Sequence, residues 1–343
     1  MAALERAKKK GRKYQNPVET RVGGVCMLLK VLRLYKTNKE ERVPRRALGP
    51  FRTNASVYEL VPASGLRVTR MGHSSMLIEI DDLRVLVDPV WDKRASAVEW
   101  IGPKRFFESP LPLAELPTID AVLVSHDHYD HLGKQTIRKL AHLEAVSNAR
   151  WVTSLGVAKW MRRFGVAEEK IVELDWTQSV TVTAQNGGEK LAITALPARH
   201  FSGRSLWDRF DTLWSSFVLK GQRHRVYFGA DSGMWDGFAK IGQLYGPFDL
   251  TMLEVGAYNE LWKSIHMGPD GAAQAFAAMG GTGLMMPIHW GLFDLALHGW
   301  TQPIERMTEL ANTVGIRLWS PAPGAPTEVI AGEEHRSNWW RRG

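Results

Sequence analysis

The stretch Ser125-His126-Asp127-His128-Tyr129-Asp130-His131 gathers three histidines and two aspartates within seven residues. Neutral imidazoles mixed with carboxylates suit Zn, and also Fe or Mn. His126 and His128 alternate, so both can project toward one ion, while Asp130 and His131 turn toward a second. Two ions about 3.5–4 Å apart can hold one water between them and make it a hydroxide at neutral pH. The plain alternative is a loop of solvated polar residues. Against it stands the H-x-H-x-D-H spacing, which is far more specific than a lone pair of histidines.

A two-ion site takes about seven ligands, more than this loop holds. Three further residues have the right setting. His200 follows the run Ile193–Arg199, Asp231 follows Val226–Ala230 and precedes Ser232-Gly233, and His289 follows Met285–Ile288. Each stands where an apolar run stops beside Gly or Pro, which aims a side chain out of a strand end. His73, in the bend Gly72-His73-Ser74, reads as a support behind the ligands rather than as one of them. His142, His224, His298 and His335 lack such settings and read as surface residues.

The elements that must position these residues can be laid out from periodicity. Residues 119–124 form a short buried strand directly before the cluster, and Gly133 breaks the chain ahead of a helix over 134–146. Upstream, 66–71, 75–80 and 84–87 read as a meander, with Asp81-Asp82 as one turn and Asp88-Pro89 as its end. Residues 91–118 form a long, proline-bearing loop. Downstream, short strands (151–153, 171–173, 179–184, 190–195, 215–220, 226–228, 249–253, 283–286) mix with helices (155–164, 235–243, 270–279, 303–313), and Asn186-Gly187-Gly188 makes a hairpin turn. This order suits an α/β fold of four layers, an αββα sandwich, over residues 55–325. Residues 1–54 form a basic arm and 326–343 a C-terminal tail.

Composition limits what else the 343 residues can be. Apolar residues make up 44%, enough for a sizeable core. The single cysteine, Cys26, excludes a disulfide within one chain and a Cys-rich zinc site, and favours a reducing, cytoplasmic setting. No run of 18 apolar residues is present, so no transmembrane helix is expected. The formal charge of +8 divides into +11 for residues 1–54 and −3 for the rest. Such an arm is either drawn to anionic lipid or nucleic acid, or is a solubilising tail. Val22–Leu34 is apolar, but Lys30 interrupts it and no cleavage site follows. It therefore reads as an amphipathic helix on a membrane or on the domain, not as a signal peptide. Most of the 14 tryptophans are expected in the core, with Trp207 and Trp214 flanking the loop after His200 and lining an apolar cleft.

The order H-x-H-x-D-H, His, G-x-D-[ST]-G, His resembles that of the metallo-β-lactamase superfamily. Within it, Gly102-Pro103-Lys104-Arg105-Phe106, Ile119–Leu132, Glu173-Leu174-Asp175-Trp176, Gly246-Pro247-Phe248-Asp249-Leu250, Gly256-Ala257-Tyr258 and Ile288-His289-Trp290-Gly291 are similar to the branch of N-acyl-phosphatidylethanolamine-hydrolysing phospholipases D. The likeness runs from about Asn16 to about residue 320. It implies two zinc ions, the first on His126, His128 and His200, the second on Asp130, His131 and His289, with Asp231 bridging. It also implies a metal-bridging hydroxide that attacks a phosphodiester, with Asp130 orienting it and His266 placed over the site. Animal members carry glutamine before that histidine, where this chain has Ile265. The implied substrate is a phospholipid, met through peripheral membrane contact of the arm, and the implied assembly is a homodimer. Two other readings stay open: a lactonase or soluble phosphate-ester hydrolase on the same site, and a non-catalytic, membrane-associated metal-binding protein. A nucleic-acid substrate is not expected, since no segment is long enough for the inserted domain of RNA-processing members.

Overall fold

A computed structural model of the chain describes residues 4–185, 187–205 and 207–342, with the side chains of 25–29 and 32 excepted. Asn186 of the expected hairpin turn and the Cys26 side chain thus lie outside the described residues. The meander forms as β1 (Leu66–Gly72), β2 (Ser75–Ile80) and β3 (Leu83–Val87). Asp81 and Asp82 both sit at positive φ, 46° and 66°, the geometry that a two-residue turn needs to follow the strand twist. β4 (Ala121–Val124), β5 (Arg150–Ser154) and β6 (Ile171–Leu174) continue the sheet in parallel.

The second sheet runs from β7 (Ser179–Thr183) through β8 (Lys190–Leu196), β9 (Ser216–Lys220) and β10 (Arg225–Phe228) as antiparallel neighbours. β11 (Leu250–Glu254) and β12 (Leu284–Ile288) then add in parallel. Strand alternation decides the layers. Ala121 and Leu123 face a core shared with Ile193, Phe228 and Met252 of the other sheet, whereas Val122 and Val124 face outward. Outside the first sheet lie α2 (Lys134–Leu140) and α3 (Ala158–Arg163). Outside the second lie α4 (Gly237–Tyr245), α5 (Gly268–Ala278) and α6 (Gln302–Val314). This is the four-layer αββα sandwich. α2 is shorter than the expected 134–146: the chain leaves the helix so that Ala145 O can accept Ile119 N–H at 2.7 Å and align the start of β4.

Both ends of the chain pack on this frame. α1 (Val25–Thr37) turns Val31, Leu34 and Tyr35 toward Trp262, Ile265 and Leu297, and leaves Lys30, Arg33 and Lys36 exposed. At the other end, β13 (Thr327–Glu328) pairs with β1 and closes the first sheet. Trp339 and Trp340 are buried, and Trp339 stacks on Trp290 with ring centroids 5.3 Å apart. The divisions drawn at residues 54 and 325 therefore do not coincide with gaps in packing. Among the described residues no helix is long and apolar enough to cross a membrane.

Candidate metal centre

β1, β3 and β4 run in one direction within the first sheet, and β8, β10, β11 and β12 run in one direction within the second, as their pairings require. The C-terminal ends of the two sets meet at one edge of the sandwich, where His289 after β12 lies 3.2 Å from Asp130 after β4 and Asp231 after β10 lies 3.2 Å from His131. At that edge stand His73, Asp88, the 126–131 loop, His200, Asp231, Glu254 and His289. Residues far apart in sequence thereby meet. Several non-glycine residues there hold positive φ, among them His73, Asp88, Ala230, Ala257 and His289. Each such residue costs on the order of 1–3 kcal/mol, which the surrounding packing must offset.

Three donor groups result: one of them, Asp231, Glu254, His266 and His289, overlaps the other two, which divide the expected ligands. His126, His128, His200 and Asp231 each present one ligand atom within 4.8 Å of the others, and His73, Asp130, His131 and His289 form a second such group. Asp231 links the two. Its Oδ2 lies 3.6 Å from His200 Nε2 and 3.7 Å from His126 Nε2, and 3.1 Å from His289 Nε2. Its Oδ1 lies 3.2 Å from His131 Nε2, yet neither atom makes a hydrogen bond and both are buried. Buried donors and acceptors that converge without satisfying one another are an arrangement that a bound cation satisfies. The set of imidazoles and carboxylates thus fits two metal ions. Within the second group His73 sits against Asp130, Nε2 to Oδ2 at 3.0 Å.

Electrostatics split the histidines. Burial pushes the His126 and His200 rings well below their usual range, and lowers His128 too. Burial, with His289 adding to it, takes His73 down to about 3. Burial opposes protonation of His131 and His289 as well, but there Asp231 leads the carboxylates that outweigh it. His131 is held well above its usual range and His289 at about 10. Asp130 and Asp231 are raised by burial and brought back well below the carboxylate range, in each case chiefly by His131. Two ionised carboxylates beside neutral rings suit cations, which take the place of the two ring protons.

The supporting contacts fix each ring. Asp88, fully buried, accepts His131 Nδ1–H at 2.6 Å and both N–H and O–H of Ser125 at 2.7 Å. His200 Nδ1 bonds Ile265 O at 2.9 Å, a contact that depends on the backbone and not on the side chain at 265. Asn16, in the arm, brackets the His200 peptide with bonds of 2.9 and 2.7 Å. Asp127 faces away from the centre and ties Gly203 N, Thr212 Oγ1 and Trp160 Nε1 together. Gly233 of the G-x-D-S-G run has a plain reason: a Cβ there would lie 2.1 Å from Ser264 O. The buried Glu254 takes His266 Nδ1 at 2.6 Å and Met267 N at 2.9 Å. The sequence marks Asp88 only as the end of the meander and does not mark Glu254, although both end strands as the ligands do. Nothing in the sequence marks Asn16 as touching His200.

Asp88→Asn tests this support. The amide oxygen can keep Ser125 N–H, so its NH2 faces His131 Nδ1 and forces the ring to the other tautomer. Metal affinity is expected to fall about 10–100-fold, read by competition with a chelator, with the fold retained. Unchanged affinity would remove Asp88 from the centre.

A cavity of about 260 Å³ opens over the ligands, with His128, Asp130, Asp231, His266 and His289 in its wall. Phe201, Trp262, Ile265 and Leu295 make the wall apolar, Val22 and Gly23 of the arm complete it, and Arg209 adds a cation. Trp207 and Trp214 do not line it, contrary to expectation. Trp207 is 89% exposed, and Trp214 is buried with its indole N–H on Ala198 O. His142 and His335 are exposed. His224 and His298 instead are half-buried: His224 bonds Asp81, and His298 stacks on Tyr258 with its pKa pushed by burial to about 4.

Comparison with known proteins agrees with this geometry. Residues 83–290, which hold all seven residues expected as ligands, match the family model of the beta-lactamase superfamily domain. An uncharacterized protein of Mycobacterium tuberculosis is 44% identical over 81% of this chain and 73% of its own length. N-acyl-phosphatidylethanolamine-hydrolyzing phospholipase D 1 of Caenorhabditis elegans is 35% identical over 73% of this chain and 70% of its own. Among solved structures, an isothiocyanate hydrolase from Delia radicum gut bacteria superposes with a TM-score of 0.61 at 18% identity, over 77% of this chain and all of that one, and so shares the fold. The chain therefore belongs to the metallo-β-lactamase superfamily, as a metal-dependent hydrolase in the branch of the N-acyl-phosphatidylethanolamine-hydrolysing phospholipases D.

Proposed function

We propose that this hydrolase is a zinc-dependent phosphodiesterase of phospholipase D type that acts on N-acyl-phosphatidylethanolamine-like lipids at a membrane surface. The observation that carries the reading is the composition of the cavity. Apolar side chains and a segment of the basic arm stand directly over two carboxylates and the histidines, with the cation of Arg209 beside them. That suits a substrate whose anionic phosphate must reach the metal pair while its apolar part stays out of water. Zinc ions bound there supply Lewis acidity and lower the pKa of water. Asp130, held ionised, orients the attacking water. Arg209 is fixed by a 2.7 Å bond to Gly23 O and faces the phosphate's charge. His266, with Nδ1 on Glu254, keeps Nε2 for the oxygen that leaves as the P–O bond breaks. The apolar wall excludes bulk water from the site.

The test is a screen of the zinc-loaded protein against N-acyl-phosphatidylethanolamine vesicles, lactones and short soluble diesters, with metal-stripped protein as control. Cutting off the arm would not discriminate, because Asn16 and Gly23 brace the site itself. The exposed face of α1 offers a cleaner variant, Lys30→Glu with Arg33→Glu and Lys36→Glu. At about 1 kcal/mol per basic residue near an anionic surface, activity on anionic vesicles should drop more than tenfold, with a short-chain diester unaffected. Hydrolysis of lactones alone, or equal losses on both diesters, would refute the lipid reading.

A further inference from the structure

Two basic segments take no part in the metal centre: Gly102-Pro103-Lys104-Arg105-Phe106, and Arg42-Val43-Pro44-Arg45-Arg46 of the arm. They meet in a separate pocket of about 640 Å³, beside Tyr35 in the last turn of α1. Arg105 is the buried member of its lining, only 4% exposed. Its structural task uses one atom, Nε, which donates to Phe107 O at 2.7 Å. Nη1 and Nη2 are buried and have no hydrogen-bond partner among the described residues, and Glu108 and Asp92 act on the guanidinium only as nearby charges. Burial lowers its pKa only to about 10, so the guanidinium stays charged at neutral pH. A buried cation with both ends of its fork unused is costly to keep unless an anion completes it.

The rest of the lining has the matching sign. Lys104, Arg45 and Arg46 are exposed around the opening. Arg45 pairs with Glu41 at 2.9 Å, which leaves Arg46 and Lys104 without an ion-pair partner among the described residues. Asp294, the carboxylate of the described lining, already faces Arg42 at 3.4 Å. Planar guanidinium forks match the oxygens of phosphate two at a time. We propose that this pocket is a second ligand site, which takes a phosphoryl oxyanion on the fork of Arg105 with Arg46 and Lys104 closing over it. The phosphate is either free or the headgroup of an anionic phospholipid, since α1 beside the pocket exposes Lys30, Arg33 and Lys36. The site does not depend on the reaction proposed above, and the two fail separately.

The experiment uses the metal-loaded protein and two probes. Inorganic phosphate is titrated by calorimetry, and co-sedimentation is measured with phosphatidylcholine vesicles with and without phosphatidic acid. Binding of the free anion, or of phosphatidic acid vesicles only, distinguishes the sources, and either supports the site. Affinity for the probe that binds should fall at least about tenfold in Arg105→Met. Because a buried residue can fail to fold when changed, the exposed double variant Arg46→Ala with Lys104→Ala is measured alongside, with the same direction expected. The proposal is overturned if neither probe binds or if both variants bind as the parent does. It is equally overturned if binding vanishes on metal chelation while the variants leave it unchanged, since the anion then sits on the metals.

Discussion

Asp231→Asn is expected to lower turnover by at least about 10³-fold and to strip metal from both donor groups. The reason is geometric. One carboxylate lies within 3.7 Å of imidazole nitrogens of His126, His200, His131 and His289, so it belongs to both sets. The amide removes the shared negative charge and points N–H at rings whose lone pairs must face a cation. Asp130→Asn makes the contrast. Asp130 contacts His73 and His289 at 3.0 and 3.2 Å, both in the second group. It should abolish turnover too, but release one equivalent of metal and leave the His126–His128–His200 set loaded. Metal content by mass spectrometry, with circular dichroism to confirm folding, separates the two. If Asp231→Asn kept two equivalents and a tenth of the activity, the shared-carboxylate arrangement would be wrong.

Glu254→Gln should reduce kcat about 10²-fold on an alkyl diester, with KM little changed. Burial holds the Glu254 carboxyl up, and His266 draws it down against that. Its Oε1 accepts Met267 N–H and Ser232 N–H, at 2.9 and 3.3 Å, and Oε2 accepts His266 Nδ1–H. In the glutamine variant the two backbone groups keep the oxygen, so the NH2 faces His266 Nδ1. The amide then puts a donor where the carboxylate accepted Nδ1–H, and with that negative partner gone a proton at Nε2 becomes harder to supply to the leaving oxygen. An aryl diester, whose leaving group needs no proton, should lose only a few-fold. Equal losses on the two substrates would reduce Glu254 to a structural brace and remove His266 from the proton path.

Local chemistry was legible along the chain. The H-x-H-x-D-H loop, the apolar runs that stop at His200, Asp231 and His289, and the Asp-Asp turn are short-range patterns, so they survive without the fold. Layer architecture was legible for a related reason: strand and helix periods set which faces must be buried, and few arrangements bury them all. Element ends were not, as α2 shows, because its stop is decided by where Ala145 must meet Ile119.

Three things only the tertiary structure decided. One is which strand-end carboxylates serve the metal centre: Asp88 and Glu254 look in sequence like ordinary strand termini, and become supports because parallel pairing sets each beside a neighbouring strand that ends in ligands. Another is the arm, whose charge pattern leaves a lipid-drawn segment, a solubilising tail and packing on the domain all open, and whose Asn16, Val22 and Gly23 brace and line the cleft. The last is the orientation of Trp207 and Trp214, which flank the right loop yet point elsewhere. Residue type and spacing encode which atoms are able to bind a cation. Which atoms actually face one another is set by long-range register, and that is an energy of the whole packed chain.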